Sequence, residues 1–239
     1  MVMDASQLFS QLLNPMLSLQ SPALPDIATL REARYVSWAI CLAFLVLFLG
    51  QKLPRLYPRS AAAVVLVWTL LPGPVSPAFW LGLAFQMPSP VSTMLCLMGC
   101  VRLLRSTPPS WWAPDTCHAL RCVSGLAVVL GWVLLLDTFA LLPISASVYA
   151  LGFSPLAVMI AAVMASLPWV LGGVRAPSRF VSYLLWAVLL IFVVLRLPTG
   201  NLWDVLLDPW LWIVLQIDLI ALAVRWFKAK WRGSKATRV

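Results

Sequence analysis

The sequence predicts an all-α fold, a polytopic membrane bundle of about seven transmembrane helices. Hydrophobic residues make up 62% of the 239 residues and charged residues only 10%, with a mean hydropathy of +0.93, whereas a soluble domain carries about 25% charged residues. Such a chain cannot cover its own surface with polar groups, so we expect the lipid bilayer to surround it. Its apolar runs lack the alternation of barrel strands, and helices are the remaining way to satisfy a backbone in lipid.

Seven apolar runs are the predicted transmembrane helices, since one crossing takes about 20 apolar residues. In chain order they are Ala33–Gly50, Ala61–Leu71, Pro77–Leu104 with an interruption, Ala119–Leu142, Pro155–Gly172, Arg179–Leu197 and Pro209–Phe227. The second run is short and the third is long for one crossing. Two interpretations fit: the third helix breaks and restarts at Pro90, or Ala61–Gln86 forms one irregular span and Pro90–Leu104 returns.

The interruption in the third run is a candidate functional feature, with Gln86, Ser89 and Pro90 as its candidate residues. Broken helices are tolerated inside a membrane only where they face protein or a water-filled cavity. The alternative is a proline kink that only shapes packing.

Helix starts are marked by a capping residue followed by proline. This pair occurs at Ser76-Pro77, Ser154-Pro155 and Asp208-Pro209, and again at Ser89-Pro90. Serine and aspartate favour the N-cap position and proline the first helical position. We therefore expect Asp208 to cap a helix and not to bind a ligand.

The basic residues predict the topology. All 17 lysines and arginines except Arg31, Arg34 and Arg196 fall on one side of the predicted helices, which places the N-terminus outside and the C-terminus in the cytoplasm. The predicted parts are an outer-face segment with a short amphipathic helix (1–32), a seven-helix transmembrane domain (33–227) and a basic cytoplasmic tail (228–239). The net charge of +9 follows from this topology, so no nucleic-acid partner is expected.

The short loops and the lack of a glycosylation sequon favour a multi-pass protein of a cell membrane, the bacterial inner membrane in particular. Tryptophans near the ends of the predicted helices indicate anchors at the membrane interface. Trp38, Trp80 and Trp203 belong to the outer set of these anchors.

Three charged residues within or beside the predicted helices are candidate intramembrane sites: Asp218, Asp137 and Arg196. A charge at the bilayer centre costs about 2.5–3.5 kcal/mol on insertion scales. Asp218 lies near mid-membrane and is either a coupling site for a proton or cation or a hydrogen-bonding group, and in both cases we expect it to face protein. Asp137 is predicted at a similar depth. It either shares a cavity with Asp218, if their helices are neighbours, or forms a structural hydrogen bond between helices, and its position near the outer interface favours the second role. Arg196 either extends outward or pairs with an acidic neighbour.

Contacts with other membrane proteins are expected beside those with the lipid bilayer. Ala157, Ala161 and Ala165 recur every fourth residue, and small residues at this spacing let helices approach closely. The contact is either internal or with another subunit.

No catalytic, metal or cofactor site is predicted, because the chain has no nucleophile–base arrangement and no common zinc spacing around its single histidine, His118. We expect a non-enzymatic membrane subunit or scaffold of an envelope transport or assembly complex. The alternative is a small-solute or proton/cation-coupled transporter using Asp218. A lipid-modifying membrane enzyme is a remote third possibility.

Overall fold

The computed structural model describes residues 24–105, 117–142, 147–172 and 176–236, and these residues form helices and connecting turns with no strand among them. The predicted amphipathic helix near the N-terminus and the side chain of His118 lie outside the described residues. An all-helical fold is confirmed for the described part of the chain.

The helices begin and end close to the predicted apolar runs. In chain order they are α1 (Ile27–Leu49), α2 (Leu56–Thr69), α3 (Pro77–Phe85), α4 (Pro90–Leu104), α5 (Cys117–Thr138), α6 (Val148–Leu151), α7 (Pro155–Gly172), α8 (Ala176–Leu195), α9 (Leu202–Leu206) and α10 (Pro209–Ala236). A short 3-10 helix, Gly50–Lys52, follows α1. Helix α10 extends past the predicted end at Phe227, since lysine and arginine are good helix formers and favour the C-terminal end of a helix.

The four predicted pairs of capping residue and proline all begin helices. In each case the side-chain oxygen of the capping residue accepts a hydrogen bond from a backbone N–H in the first turn. The pairs are Ser76 with Ala78 (3.1 Å), Ser89 with Ser92 (3.1 Å), Ser154 with Ala157 (3.4 Å) and Asp208 with Leu211 (2.7 Å). Local sequence therefore determines where α3, α4, α7 and α10 begin.

The larger hydrophobic core lies among α4, α7, α8 and α9. Its centre consists of Val188, Phe192, Leu202 and Val205, each fully buried. The alanines of α7 line the same core: Ala157, Ala161 and Ala165 are all buried. Their stripe is therefore an internal contact of this chain and is not open to a partner protein.

A second group of helices packs around α1, which contacts α2, α3 and α4. Its smaller core contains Ala43, Leu47, Ala62 and Cys100. Helix α4 contacts both α1 and α8, so it joins the two groups.

Helix α10 is the least covered of the long helices. It packs against α5, where Trp212 fits over Gly131 and its indole N–H donates to the carbonyl of Val128 at 3.2 Å. No residue in the most apolar stretch of α10 is buried. This stretch of α10 therefore presents apolar side chains to the surroundings.

Two helical segments are long and apolar enough to cross a membrane, Ile27–Lys52 and Pro209–Lys228. Four shorter apolar helical segments accompany them, and large apolar side chains such as Val64, Val67 and Ile217 are exposed. These features give weak support for association with a membrane. The arrangement of seven crossings stays a prediction.

Candidate functional site

The predicted interruption of the third apolar run is a real break between two helices. Helix α3 ends at Phe85 and α4 begins at Pro90. Gln86, at the break, has φ 60° and ψ −132°, a conformation that L-residues rarely adopt and that costs on the order of 1–3 kcal/mol. Its carbonyl accepts a 2.8 Å hydrogen bond from the indole N–H of Trp38.

Trp38 therefore does not fit the expected role of an interfacial anchor. Its side chain is only 8% exposed, and its N–H is directed at the break from α1. A buried indole N–H needs an acceptor, and the Gln86 carbonyl has no helical partner because α3 has ended. The two groups satisfy each other and hold the break against α1.

Asp208 connects the break to the start of α10. One carboxylate oxygen caps α10 through the N–H of Leu211 at 2.7 Å, and the other accepts from the backbone N–H of Ser89 at 2.8 Å. Asp208 and Ser89 are both buried. The capping role predicted for Asp208 is thus observed, with a second bond across 119 positions of sequence that no local pattern indicates.

A second polar network lies in α6, α9 and the connection before α9. The carboxylate of Asp204 accepts hydrogen bonds from the hydroxyls of Tyr149 (2.8 Å) and Thr199 (2.5 Å). The side-chain amide of Asn201 donates to the carbonyl of Tyr149 at 2.9 Å, while its oxygen caps α9 at the N–H of Trp203. These bonds hold the segment around α6 against the α8–α9 connection.

Asp137 belongs to the same network and not to a site with Asp218. Its carboxylate accepts from the hydroxyl of Ser147 at 2.8 Å and from the backbone N–H of Tyr149 at 2.9 Å. It therefore provides an acceptor at the beginning of α6, which is a structural use of the charge.

Tyr149 is the donor that links the two acidic residues. Burial, followed by its hydrogen bond to Asp204, raises the pKa of Tyr149 to about 12. The phenol is therefore protonated at neutral pH, as its role as a hydrogen-bond donor requires.

Two cavities adjoin the break. The larger, about 660 Å³, is bordered by the break, by Tyr149 and by both Asp204 and Asp208. The smaller, about 370 Å³, is bordered by the start of α1 with Arg34. Both are lined by the same four residues where they adjoin, namely Gln86, Met87, Pro198 and Thr199.

Asp218 lies apart from these cavities. It is exposed on α10, and no hydrogen bond from a described residue reaches it. The expectation that it faces protein is therefore not met within the described chain.

Asp137 and Asp218 do not share a cavity, contrary to one of the two predicted alternatives, although α5 and α10 are neighbours. Helices α5 and α10 run antiparallel, because the end of α5 and the residues just before α10 meet in the Tyr149 network. Asp218 lies six residues beyond Trp212, and Asp137 six residues beyond Gly131 in the opposite direction. At 1.5 Å per residue the carboxylates are about 18 Å apart along the helices.

Arg196 follows α8 in a left-handed conformation with φ 55°. Its guanidinium carbon lies 5.1 Å from the ring centroid of Phe192, a cation–π contact. Among the described residues it forms no ion pair with Asp137, Asp204 or Asp208. Pairing with an acid, one of the two predicted alternatives, is therefore not observed.

Sequence reasoning missed Tyr149, Thr199 and Asn201. A signal existed for Asn201, because asparagine is a preferred N-cap and Asp204 stands three residues later in the first turn of α9. No comparable signal marks Tyr149, whose partner Asp204 lies 55 positions away. Thr199 lies only five positions before Asp204, but it belongs to no capping pattern that would indicate the contact.

The arrangement can hold hydrogen-bonding or charged groups, but the described part of the chain brings no three potential metal ligands together. Cys41, Cys96 and Cys100 are free thiols. Comparison of the chain with protein-family models, curated protein sequences and solved structures found no match.

Proposed function

We propose that this chain is a non-enzymatic helical subunit of a larger membrane complex, and that α10 binds a transmembrane helix of another membrane protein through Asp218. The observation that carries the proposal is the exposure of this carboxylate on a helix whose most apolar stretch has no buried residue. Facing lipid, the charge would cost about 2.5–3.5 kcal/mol. A partner helix with a hydrogen-bond donor or a cation removes that cost.

The proposed arrangement has about seven crossings, with the N-terminus outside and the C-terminus in the cytoplasm of a bacterial inner membrane. The one-sided distribution of lysine and arginine supports the orientation. The two candidate spans and the exposed apolar side chains of α2 and α10 support the lipid surroundings.

Transport coupled to Asp218 is less well supported than complex formation. A coupling carboxylate should border a cavity that a solute or cation can enter. Asp218 borders neither cavity at the break, and it projects from the surface of α10. Contact with a neighbouring protein accounts for that position without requiring a pathway through this chain.

Site-specific crosslinking in the native membrane tests the proposal. A photo-crosslinking amino acid replaces Ile217 on α10, and in a control chain it replaces Val64 on α2; both positions are exposed to a similar extent. Each is combined with Asp218→Asn or Asp218→Leu. We expect the crosslinker at position 217 to form one crosslink to another protein. This crosslink should persist in the Asp218→Asn variant and disappear in the Asp218→Leu variant, and the crosslinker at position 64 should not form it.

The Asp218→Leu variant distinguishes loss of partner binding from failure of the chain to insert into the membrane. Because it is favourable in a bilayer, Asp218→Leu should insert at least as well as the wild type, so its membrane-integrated amount serves as the control for folding. Crosslinks to lipid alone, or to a second copy of this chain, would contradict the proposal. If Asp218→Leu crosslinks as strongly as the wild type, Asp218 does not take part in binding the partner helix.

A further inference from the structure

Arg34 is a half-buried cation in the smaller cavity at the break. The cavity, about 370 Å³, has mainly apolar walls that include Leu24, Leu30 and Met87, with the polar residues Gln86 and Thr199 at the side shared with the larger cavity. No hydrogen bond or ion pair to Arg34 comes from a described residue. Asp204 and Asp208 line the neighbouring cavity, and their hydrogen bonds go to Tyr149, Thr199, Ser89 and Leu211.

A glycine on α3 makes room for this arginine. A Cβ atom at Gly82 would lie 2.4 Å from Cδ of Arg34 and 3.1 Å from one terminal guanidinium nitrogen. The arginine side chain therefore lies directly over α3, at a position where any larger residue would displace it. This packing holds the guanidinium at the cavity and leaves its donors unused by the described protein.

We propose that the Arg34 cavity binds the phosphate of a phospholipid headgroup. An arginine guanidinium presents five donors in a planar fork that matches phosphate oxygens, and phosphate is the anion that a bilayer provides at its surface. Arg34 lies seven residues after the first residue of α1, about 10 Å along the helix, a position near one end of a membrane-crossing helix. The apolar walls suit the glycerol and upper acyl carbons next to that phosphate.

This inference rests on the membrane location included in the proposed function, but not on Asp218 or a protein partner. Free phosphate shares the recognising chemistry, so the experiment compares the two sources. The purified full chain in detergent is titrated with dioleoylphosphatidylglycerol, and bound lipid is counted by native mass spectrometry. Dioleoylglycerol, which lacks the phosphate, and inorganic phosphate are the comparison probes.

We expect saturable binding of dioleoylphosphatidylglycerol, no comparable binding of dioleoylglycerol, and no displacement by inorganic phosphate at millimolar concentration. Arg34→Gln should weaken binding about tenfold or more, because hydrogen bonds between charged groups are the stronger class. Arg34→Lys should weaken it less, since it keeps the charge and loses the fork. Gly82→Ala should weaken it by displacing the arginine side chain.

Arg31→Gln is the matched control, because Arg31 is an exposed arginine on the same helix that does not line the cavity. Equal weakening by Arg31→Gln, or equal binding of dioleoylglycerol, would overturn the proposal. Displacement by inorganic phosphate would overturn the assignment to a lipid. Membrane insertion of Arg34→Gln, measured separately, distinguishes lost lipid binding from lost membrane location.

Discussion

Asp208 is expected to be among the most sensitive polar residues of this fold, because one carboxylate satisfies two backbone N–H groups from distant helices. Asp208→Ala removes the cap on Leu211, worth about 0.5–2 kcal/mol. It also leaves the buried N–H of Ser89 without an acceptor, which costs about 1–3 kcal/mol. We expect the free energy of unfolding to fall by about 2–4 kcal/mol, within the sum of the two ranges.

Two further variants separate the two bonds. Asp208→Ser keeps a capping residue before Pro209, as at the other three helix starts, but its single oxygen cannot also reach Ser89; it should lose about 1–3 kcal/mol. Asp26→Ala is the matched control, since Asp26 caps α1 through Thr29 at 3.0 Å from an exposed position where water replaces the carboxylate. Its loss should stay at the low end of the capping range, about 0.5–1 kcal/mol.

The assay is equilibrium unfolding in mixed micelles with a rising fraction of denaturing detergent, followed by tryptophan fluorescence. The 13 tryptophans of the chain make the signal strong. If Asp208→Ala lowers the free energy of unfolding no more than Asp26→Ala does, the buried bond to Ser89 does not contribute to stability. Equal losses for Asp208→Ala and Asp208→Ser would refute the separate contribution of the cap.

Two other predictions concern packing and pH. Gly131→Ala should lower the free energy of unfolding by about 1–3 kcal/mol, because the new Cβ would lie 2.3 Å from Nε1 of Trp212. The control Gly125→Ala, on the same helix, meets nothing within 4 Å and should raise the free energy of unfolding by up to about 1 kcal/mol. Equal changes in the two variants, measured by detergent denaturation, would contradict the packing of Trp212 on Gly131. Because the pKa of Tyr149 is raised to about 12 from an ordinary value near 10, its contribution to stability should be complete below about pH 10 and disappear as the pH rises through about 12. Absorbance titration of tyrosinate should show that Tyr149→Phe removes a group that ionises near pH 12, and an unchanged titration in that variant would contradict the assignment.

Helix starts and the all-helical class could be predicted because they depend on local chemistry. A capping side chain reaches an N–H two or three residues ahead, and proline acts at its own position. The high hydrophobic and low charged content likewise predicts a lipid environment without reference to any particular contact. The break at Gln86–Ser89 was predicted on the same basis, from a second Ser-Pro pair inside an apolar run that is too long for one crossing.

The sites could not be predicted to the same extent, since they depend on which helices meet. The similar depths assigned to Asp137 and Asp218 were estimated from sequence separation alone; the packing of Trp212 on Gly131 sets the register of α10 against α5 and places the two carboxylates about 18 Å apart along the helices. Trp38 resembled an interfacial anchor because a sequence position near a helix end does not reveal what covers it.

The helical class, the capping residues and the break could be read from the sequence, because each follows from interactions within a few residues or from average composition. Four other features depend on how the helices pack: Asp208 also binds the break, Tyr149 joins Asp137 to Asp204, Gly82 accommodates Arg34, and Asp218 projects from the surface. The contacts among them join residues between 12 and 119 positions apart. Helical periodicity specifies which side chains share a face, but the packing of the helices specifies what that face touches.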